Sequence, residues 1–215
     1  VLAATTPAPN WLRQAAEPHI DLVGPSPVPY QFDGVTFDML PTKGLKRVIS
    51  AYGAKFWSEG AQGMAPLLIG PPGAFKSVSA AILSNQIRTK ALVKTGWCTI
   101  PVDLTRLERA RYAERTSEQI QEWINVPFLV IDDFAMVRLG SWQFDVMAEI
   151  AMSRFDARRP TMWTGNITLP GGNLDGVQKA LTSSVGAQLT RRMLERSSGY
   201  RLYVGVHNAG TGTSP

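Results

Sequence analysis

Apolar and polar positions alternate in blocks along this chain, and the blocks predict five strands separated by helices. Short apolar runs at residues 66–69 and 127–131 have the length and composition of strands covered on both faces. Residues 97–102, 161–164 and 200–206 read as three more. Between the first two strands in chain order the apolar period lengthens to that of a helix. Val78, Ala81, Ile82 and Asn85 fall at i, i+3, i+4 and i+7, with Ala80, Leu83 and Ile87 widening the apolar surface. Further helices are predicted over 43–59, over a charged stretch at 104–115, and over 143–155 with Val146, Met147 and Ile150 inward. A last helical stretch follows a glycine-rich turn at 170–176 and ends near Glu195. Strands and helices in alternation imply a mostly parallel sheet layered by helices. No internal repeat interrupts the series.

The ends of the chain look different. Prolines at 7, 9, 18, 25, 27 and 29 make residues 1–30 an arm, residues 31–207 the folded domain and residues 208–215 a flexible tail. Phe32 and Phe37 stand isolated ahead of the first helix, where they either pack the arm onto the core or flank an adenine base. A length of 215 residues, 44% hydrophobic, suffices for one substantial core. The formal charge of +5 inclines the reading toward a polyanionic partner. The single cysteine, Cys98, excludes an internal disulfide and a cysteine-based zinc cluster, and its apolar surroundings make it a core residue. No window approaches the ~18 apolar residues of a membrane span, and the start lacks a basic-then-apolar signal pattern. The expectation is a soluble, cytoplasmic protein with no membrane partner.

Candidate chemistry lies at two strand ends. Gly70-Pro71-Pro72-Gly73-Ala74-Phe75-Lys76-Ser77 follows the first strand and opens a helix. A strand, a glycine-containing turn and a helix N-terminus together aim backbone N–H groups and a positive dipole end at one point, which suits a phosphate. In that geometry Lys76 reaches the β- and γ-phosphates of ATP, and the Ser77 hydroxyl holds a bridging Mg2+. The pattern G-x-x-x-x-G-K-[ST] is met except at Phe75, which stands where the second glycine is expected. A bulky residue at positive φ costs roughly 1 kcal/mol or more, so Gly73 is expected to carry the bend instead. Alone, such a stretch fits a plain Pro/Gly turn equally well.

The second strand end is Phe128-Leu129-Val130-Ile131-Asp132-Asp133, four apolar residues closing on two acids. This is the form of a Walker B strand, in which the first carboxylate orients magnesium and the second polarises the attacking water. Paired acids at a strand end are, by themselves, more often a turn. With Lys76 and Ser77 upstream and Asn166 closing the next strand, the reading as a site prevails.

At this point the chain, over roughly residues 32–206, resembles the AAA+ ATPases of the DnaC/IstB group, the helicase loaders and their transposition relatives. The resemblance rests on Thr36-Phe37-Asp38, Pro71-Pro72-Gly73, Val130-Ile131-Asp132-Asp133, Arg159-Pro160 before a strand ending in Asn166, and Gly186-Ala187-Gln188-Leu189-Thr190-Arg191-Arg192-Met193-Leu194. It implies an α/β P-loop NTPase of AAA+ type, with a parallel five-stranded sheet, helices on both faces and no clear C-terminal lid. It also implies an ATPase in which Lys76 binds phosphate, Ser77 and Asp132 serve Mg2+, Asp133 is the catalytic acid and Asn166 the sensor that positions water. Arg192 matches the arginine finger acting in trans, with Arg191 adjacent, so a homo-oligomeric ring or spiral is implied. The charged stretch holding Arg106, Arg109, Arg111 and Tyr112 lies where the family lines its DNA channel, and interleaved Glu108 and Glu114 fit a salt-bridged solvent face as well. The implied function is ATP-dependent action on single-stranded DNA, with helicase loading in phage, plasmid or bacterial replication. The alternatives are an IstB-like transposition regulator and a nucleotide-gated adaptor with little turnover, the latter suggested by Phe75.

Overall fold

The structure, a computed structural model, describes residues 27–59, 63–110, 114–135, 139–167 and 175–204. The expected tail, most of the expected arm, Arg111 and Tyr112 lie outside them. Five strands form one sheet: β1 (Leu67–Gly70), β2 (Thr95–Thr99), β3 (Phe128–Asp132), β4 (Thr161–Asn166) and β5 (Arg201–Tyr203). Their order is β2-β3-β4-β1-β5 and every pairing is parallel. Seven helices connect or precede them: α1 (Lys43–Glu59), α2 (Lys76–Lys90), α3 (Thr105–Arg109), α4 (Glu114–Asn125), α5 (Ser141–Asp156), α6 (Asp175–Val185) and α7 (Ala187–Arg196).

The two-residue period of the strands sorts their side chains between two cores. Leu68, Trp97, Phe128, Val130 and Met162 face α1 and α2, against Leu45, Ile49, Tyr52, Phe56, Ala80 and Leu83. Leu67, Ile69, Cys98, Leu129, Ile131 and Trp163 face the other way, against α4 to α7. Cys98 is buried, as the sequence suggested, and Trp97, Trp123 and Trp163 are core residues. Phe32 takes the packing alternative, its ring 5.8 Å from that of Trp97. Phe37 lies under the Lys46 ammonium at 5.9 Å.

Three predicted elements differ from what forms. The charged stretch is not one helix over 104–115: α3 is five residues long and ends at the turn residue Ala110, after a π-helical turn over Ile100–Leu104 that takes over from the predicted second strand. A separate helix, α4, then carries Ile120, Trp123 and Ile124 into the core. The last helical stretch is broken at Gly186, whose φ of 78° a residue with a side chain rarely adopts.

One buried side chain ties several of these pieces together. Arg154 on α5 is fully buried and, among the described residues, has no carboxylate partner. Its Nη1 donates to the carbonyls of Trp123 (2.8 Å), Ile124 (3.1 Å) and Val126 (2.6 Å), which are orphan acceptors at the C-terminus of α4. Nη2 donates to the Pro160 carbonyl (2.6 Å) and Nε to Thr161 Oγ1 (2.8 Å) at the entry to β4. Burial lowers its pKa to about 9, so it stays a cation at neutral pH, where it complements the negative end of the α4 dipole. Arg159 adds a bond to Ile124 O (2.8 Å). Replacing Arg154 by Met strands those carbonyls away from water. The expected loss, read from urea unfolding, is about 3–5 kcal/mol.

Candidate functional site

The site is assembled at the C-terminal ends of the parallel strands, where open α/β sheets leave a crevice. β1 ends on Gly70, and a Cβ there would lie 2.1 Å from the carbonyl oxygen of Val204. Only glycine lets β1 run beside the chain leaving β5. The loop then turns twice through the left-handed region, at Gly73 (φ 76°) and again at Phe75 (φ 60°). The expectation that Gly73 would spare Phe75 is therefore corrected: both residues bend. The Phe75 conformation is held by its carbonyl, which accepts from Ser79 N (2.9 Å) and from Ser79 Oγ (2.8 Å) in the first turn of α2. Its side chain remains 39% exposed. Lys76 is buried and donates from Nζ to the Pro71 carbonyl at 2.8 Å, so the loop closes on its own lysine. Burial pulls the Lys76 pKa down, and the nearby carboxylates of Asp133 and Asp132 pull it back up.

Sheet order sets the rest. β4 lies between β1 and β3, so the loop after β1 and the acids after β3 must meet across it. Asp132 and Thr164 lie on the face of their strands that carries Val130 and Met162, which is the α2 side. There Ser77 Oγ donates to Asp132 Oδ1 at 2.7 Å, and Thr164 Oγ1 donates to the same oxygen. Burial raises the Asp132 pKa, and the two hydroxyl donors oppose the rise.

The next residue breaks the alternation. Asp133 has φ 59°, tolerable for Asp, and its N–H donates to Thr164 Oγ1 at 3.2 Å. Asn166 Nδ2 at the end of β4 donates to Asp133 Oδ1 at 2.9 Å. Burial raises the Asp133 pKa as well, opposed by the charge of Lys76 and the Asn166 bond. The swerve at Asp133 sends Phe134 back into the opposite core, where its ring takes the space a side chain at Gly165 would need.

Lys76, Ser77, Asp132, Asp133 and Asn166 are thus brought together. Thr164 joins them, and the sequence analysis missed it. Its only signal is its place two residues before Asn166 on the same strand.

Arg192 is elsewhere. It stacks on Phe155 (Cζ 3.7 Å from the ring centroid) and lines a small cleft with Gly63, Arg159 and Thr161. Thr161 begins β4 and Asn166 ends it, so roughly 17 Å of strand separates this cleft from the acids. Arg191 is exposed and pairs with Glu195 at 3.8 Å. Of the proposed DNA contacts, Arg106 and Arg109 are exposed on α3. Arg106 reaches Asp103 at 3.6 Å, and Glu108 accepts from Gln143 Nε2 at 2.9 Å, anchoring α3 to α5.

No protein-family model matches the sequence, and no curated protein matches it. Solved structures do. A DnaC helicase loader superposes with a TM-score of 0.73 at 19% identity, over 81% of this chain and 99% of that one. The fold is the one this helicase loader adopts. DnaI gives a TM-score of 0.62 at 20% identity, over 84% of this chain and 93% of that one. A replication initiator DnaA, bound to AMPPCP and single-stranded DNA, gives 0.60 at 11% identity, over 81% of this chain and 50% of that one.

The oxygen donors at this site can be tested for magnesium. Among the described residues no cluster of three His, Cys, Asp or Glu exists to cage a metal. Ser77 Oγ and Asp132 Oδ1 lie side by side in hard-oxygen chemistry, and magnesium is ordinarily held by one or two such groups with waters and phosphates. The residues fit. The arrangement also separates function from stability. In Asp132→Asn the Oδ1 acceptor survives for both hydroxyls, while the negative charge that would hold magnesium is lost. Magnesium-dependent nucleotide affinity should fall by about a hundredfold or more.

The sign of the stability effect follows from linkage. The native Asp132 pKa is raised, so the native chain holds this proton more tightly than the unfolded chain, and the contribution of the group to stability falls as pH rises through the native value. Thermal unfolding should therefore show Asp132→Asn more stable than wild type at pH 7, with the gap closing in acid. Phe75→Gly removes the left-handed strain and should keep or gain about 0.5–1 kcal/mol in denaturant unfolding.

Proposed function

We propose that this chain binds and hydrolyses ATP as an oligomer and acts on DNA during replication, as a helicase loader. The observation that carries the reading is the paired bridge across β4, Ser77 to Asp132 and Asn166 to Asp133. It sets a lysine, a hydroxyl, a buried carboxylate, a second carboxylate and an amide around one crevice. These are the parts that phosphoryl transfer to water requires. Lys76, which now donates to the Pro71 carbonyl, would bind the phosphates, with the loop before α2 supplying backbone N–H groups. Ser77 and Asp132 would hold magnesium, which when bound would neutralise charge building on the phosphate oxygens.

Asp133 orients and polarises the attacking water. Its raised pKa brings the carboxylate closer to the range useful for a base, and Asn166 occupies one oxygen and fixes the plane. Arg192 is too far from this crevice to serve it, so in this reading it serves the crevice of a neighbouring copy. The DnaC and DnaI likenesses support the loader role, and the DnaA complex supports single-stranded DNA as the ligand. Arg106 and Arg109, exposed on α3, are the described residues offered for that contact.

One observation favours a second reading, a nucleotide-gated adaptor. Phe75 holds left-handed backbone where glycine is at ease, which can slow closure of the loop on the triphosphate. Three measurements separate these readings. Lys76→Ala should abolish ATP uptake in calorimetry; full retained affinity overturns the site. Light scattering with a non-hydrolysable ATP analogue and single-stranded DNA should show assembly that neither ligand-free protein nor the Lys76 variant shows. Phosphate release should be stimulated by DNA and drop by about a thousandfold in Arg192→Ala. No release above background would establish the adaptor.

A further inference from the structure

Phe155, half-buried near the C-terminus of α5, meets α7 with its ring. Two guanidinium groups, one turn apart on α7, stack on that ring: Arg192 with Cζ at 3.7 Å from the centroid and Arg196 at 4.2 Å. Cations are drawn to aromatic faces by the ring quadrupole, more strongly where water is thin. Both arginines are half-buried there, in a cleft they share with Arg159, Thr161 and Met193. Arg192 Nε is buried and has no hydrogen-bond partner among the described residues. Among the described residues no carboxylate is paired with Arg192, and the neighbouring Glu195 pairs with Arg191. The ring contact is therefore what sets the direction of the Arg192 guanidinium.

Such an arrangement costs stability unless something is gained from it. Two like charges share one ring, and a buried N–H goes unmet. An arginine meant only to cap or solubilise α7 would turn outward, as Arg191 does. Held this way, its planar head is fixed in advance and its charge is not spent on a carboxylate among the described residues.

We infer that Phe155 is a positioning residue, which holds Arg192 ready for the triphosphate of a neighbouring copy. The inference rests on the reading of Arg192 as a finger acting in trans. A head fixed before the charge develops contributes more to the transition state than one that must be ordered during the reaction. Loss of the ring should consequently act on kcat through Arg192 and leave ATP affinity alone.

The test is a double-mutant cycle on DNA-stimulated ATP turnover by the full chain, with light scattering and thermal unfolding run on each variant. Phe155→Leu should lower kcat by roughly tenfold to a hundredfold with KM for ATP unchanged. Phe155→Tyr, which keeps the ring, should retain near wild-type turnover. In the Arg192→Ala background Phe155→Leu should have no further effect. If the leucine variant does not fold, Phe155→Met, unbranched and similar in bulk, supplies the same comparison.

An equal loss from Phe155→Leu in both backgrounds, or a tyrosine variant as slow as the leucine one, overturns the positioning role while leaving Arg192 a finger. Wild-type turnover in Arg192→Ala alone overturns the finger reading, and the role of Phe155 with it.

Discussion

Everything at this site depends on one oxygen atom. Asp132 Oδ1 takes hydrogen bonds from Ser77, on the helix that follows β1, and from Thr164, on the strand that separates β1 from β3. A carboxylate this deeply buried is unfavourable without such donors, and its raised pKa shows that burial still dominates. In return the bonds fix three non-adjacent segments in one geometry. The phosphate loop, the acid pair and the end of β4 cannot shift separately. Asp133 inherits its position from the same Thr164 hydroxyl, and Asn166 then completes the row.

The opposite end of the sheet is held by a different device. Arg154 uses one guanidinium to satisfy the carbonyls that α4 leaves open and the backbone entering β4. Because its partners are main-chain oxygens and one threonine hydroxyl, it fixes backbone position with no reliance on a partner's charge state. The two ends of β4 are thus fixed independently, one by an arginine on α5 and the other by the Thr164 and Asn166 contacts to the acids.

Much of this was legible in the sequence because apolar runs and their terminal acids are local signals. The run 128–131 announces a strand covered on both faces, and Asp132-Asp133 marks the end at which ligands gather. Helix α1 was read at 43–59, as it forms. What escaped was non-local. Thr164 matters only because β4 inserts between β1 and β3, and nothing in its neighbourhood announces strand order. The α4 helix carried its own signal, with Ile120, Trp123 and Ile124 at helical spacing, but the charge of the stretch before it drew the reading toward one longer helix. Phe75 shows the limit of conformational preference: a penalty of about 1 kcal/mol is outweighed when Ser79 holds the carbonyl with two bonds. The stack of Arg192 on Phe155 joins two helices and has no sequence pattern at all.

The bond from Lys76 to the Pro71 carbonyl has a consequence for recognition. The loop is already folded around a cation, so an incoming ligand does not have to order it. What the ligand must do is outcompete a neutral amide oxygen for an ammonium group. Anionic oxygens win that exchange readily, and uncharged ones do not. In the function proposed above, selectivity for phosphate over other polar groups thus arises from an internal competitor that is present before any ligand arrives.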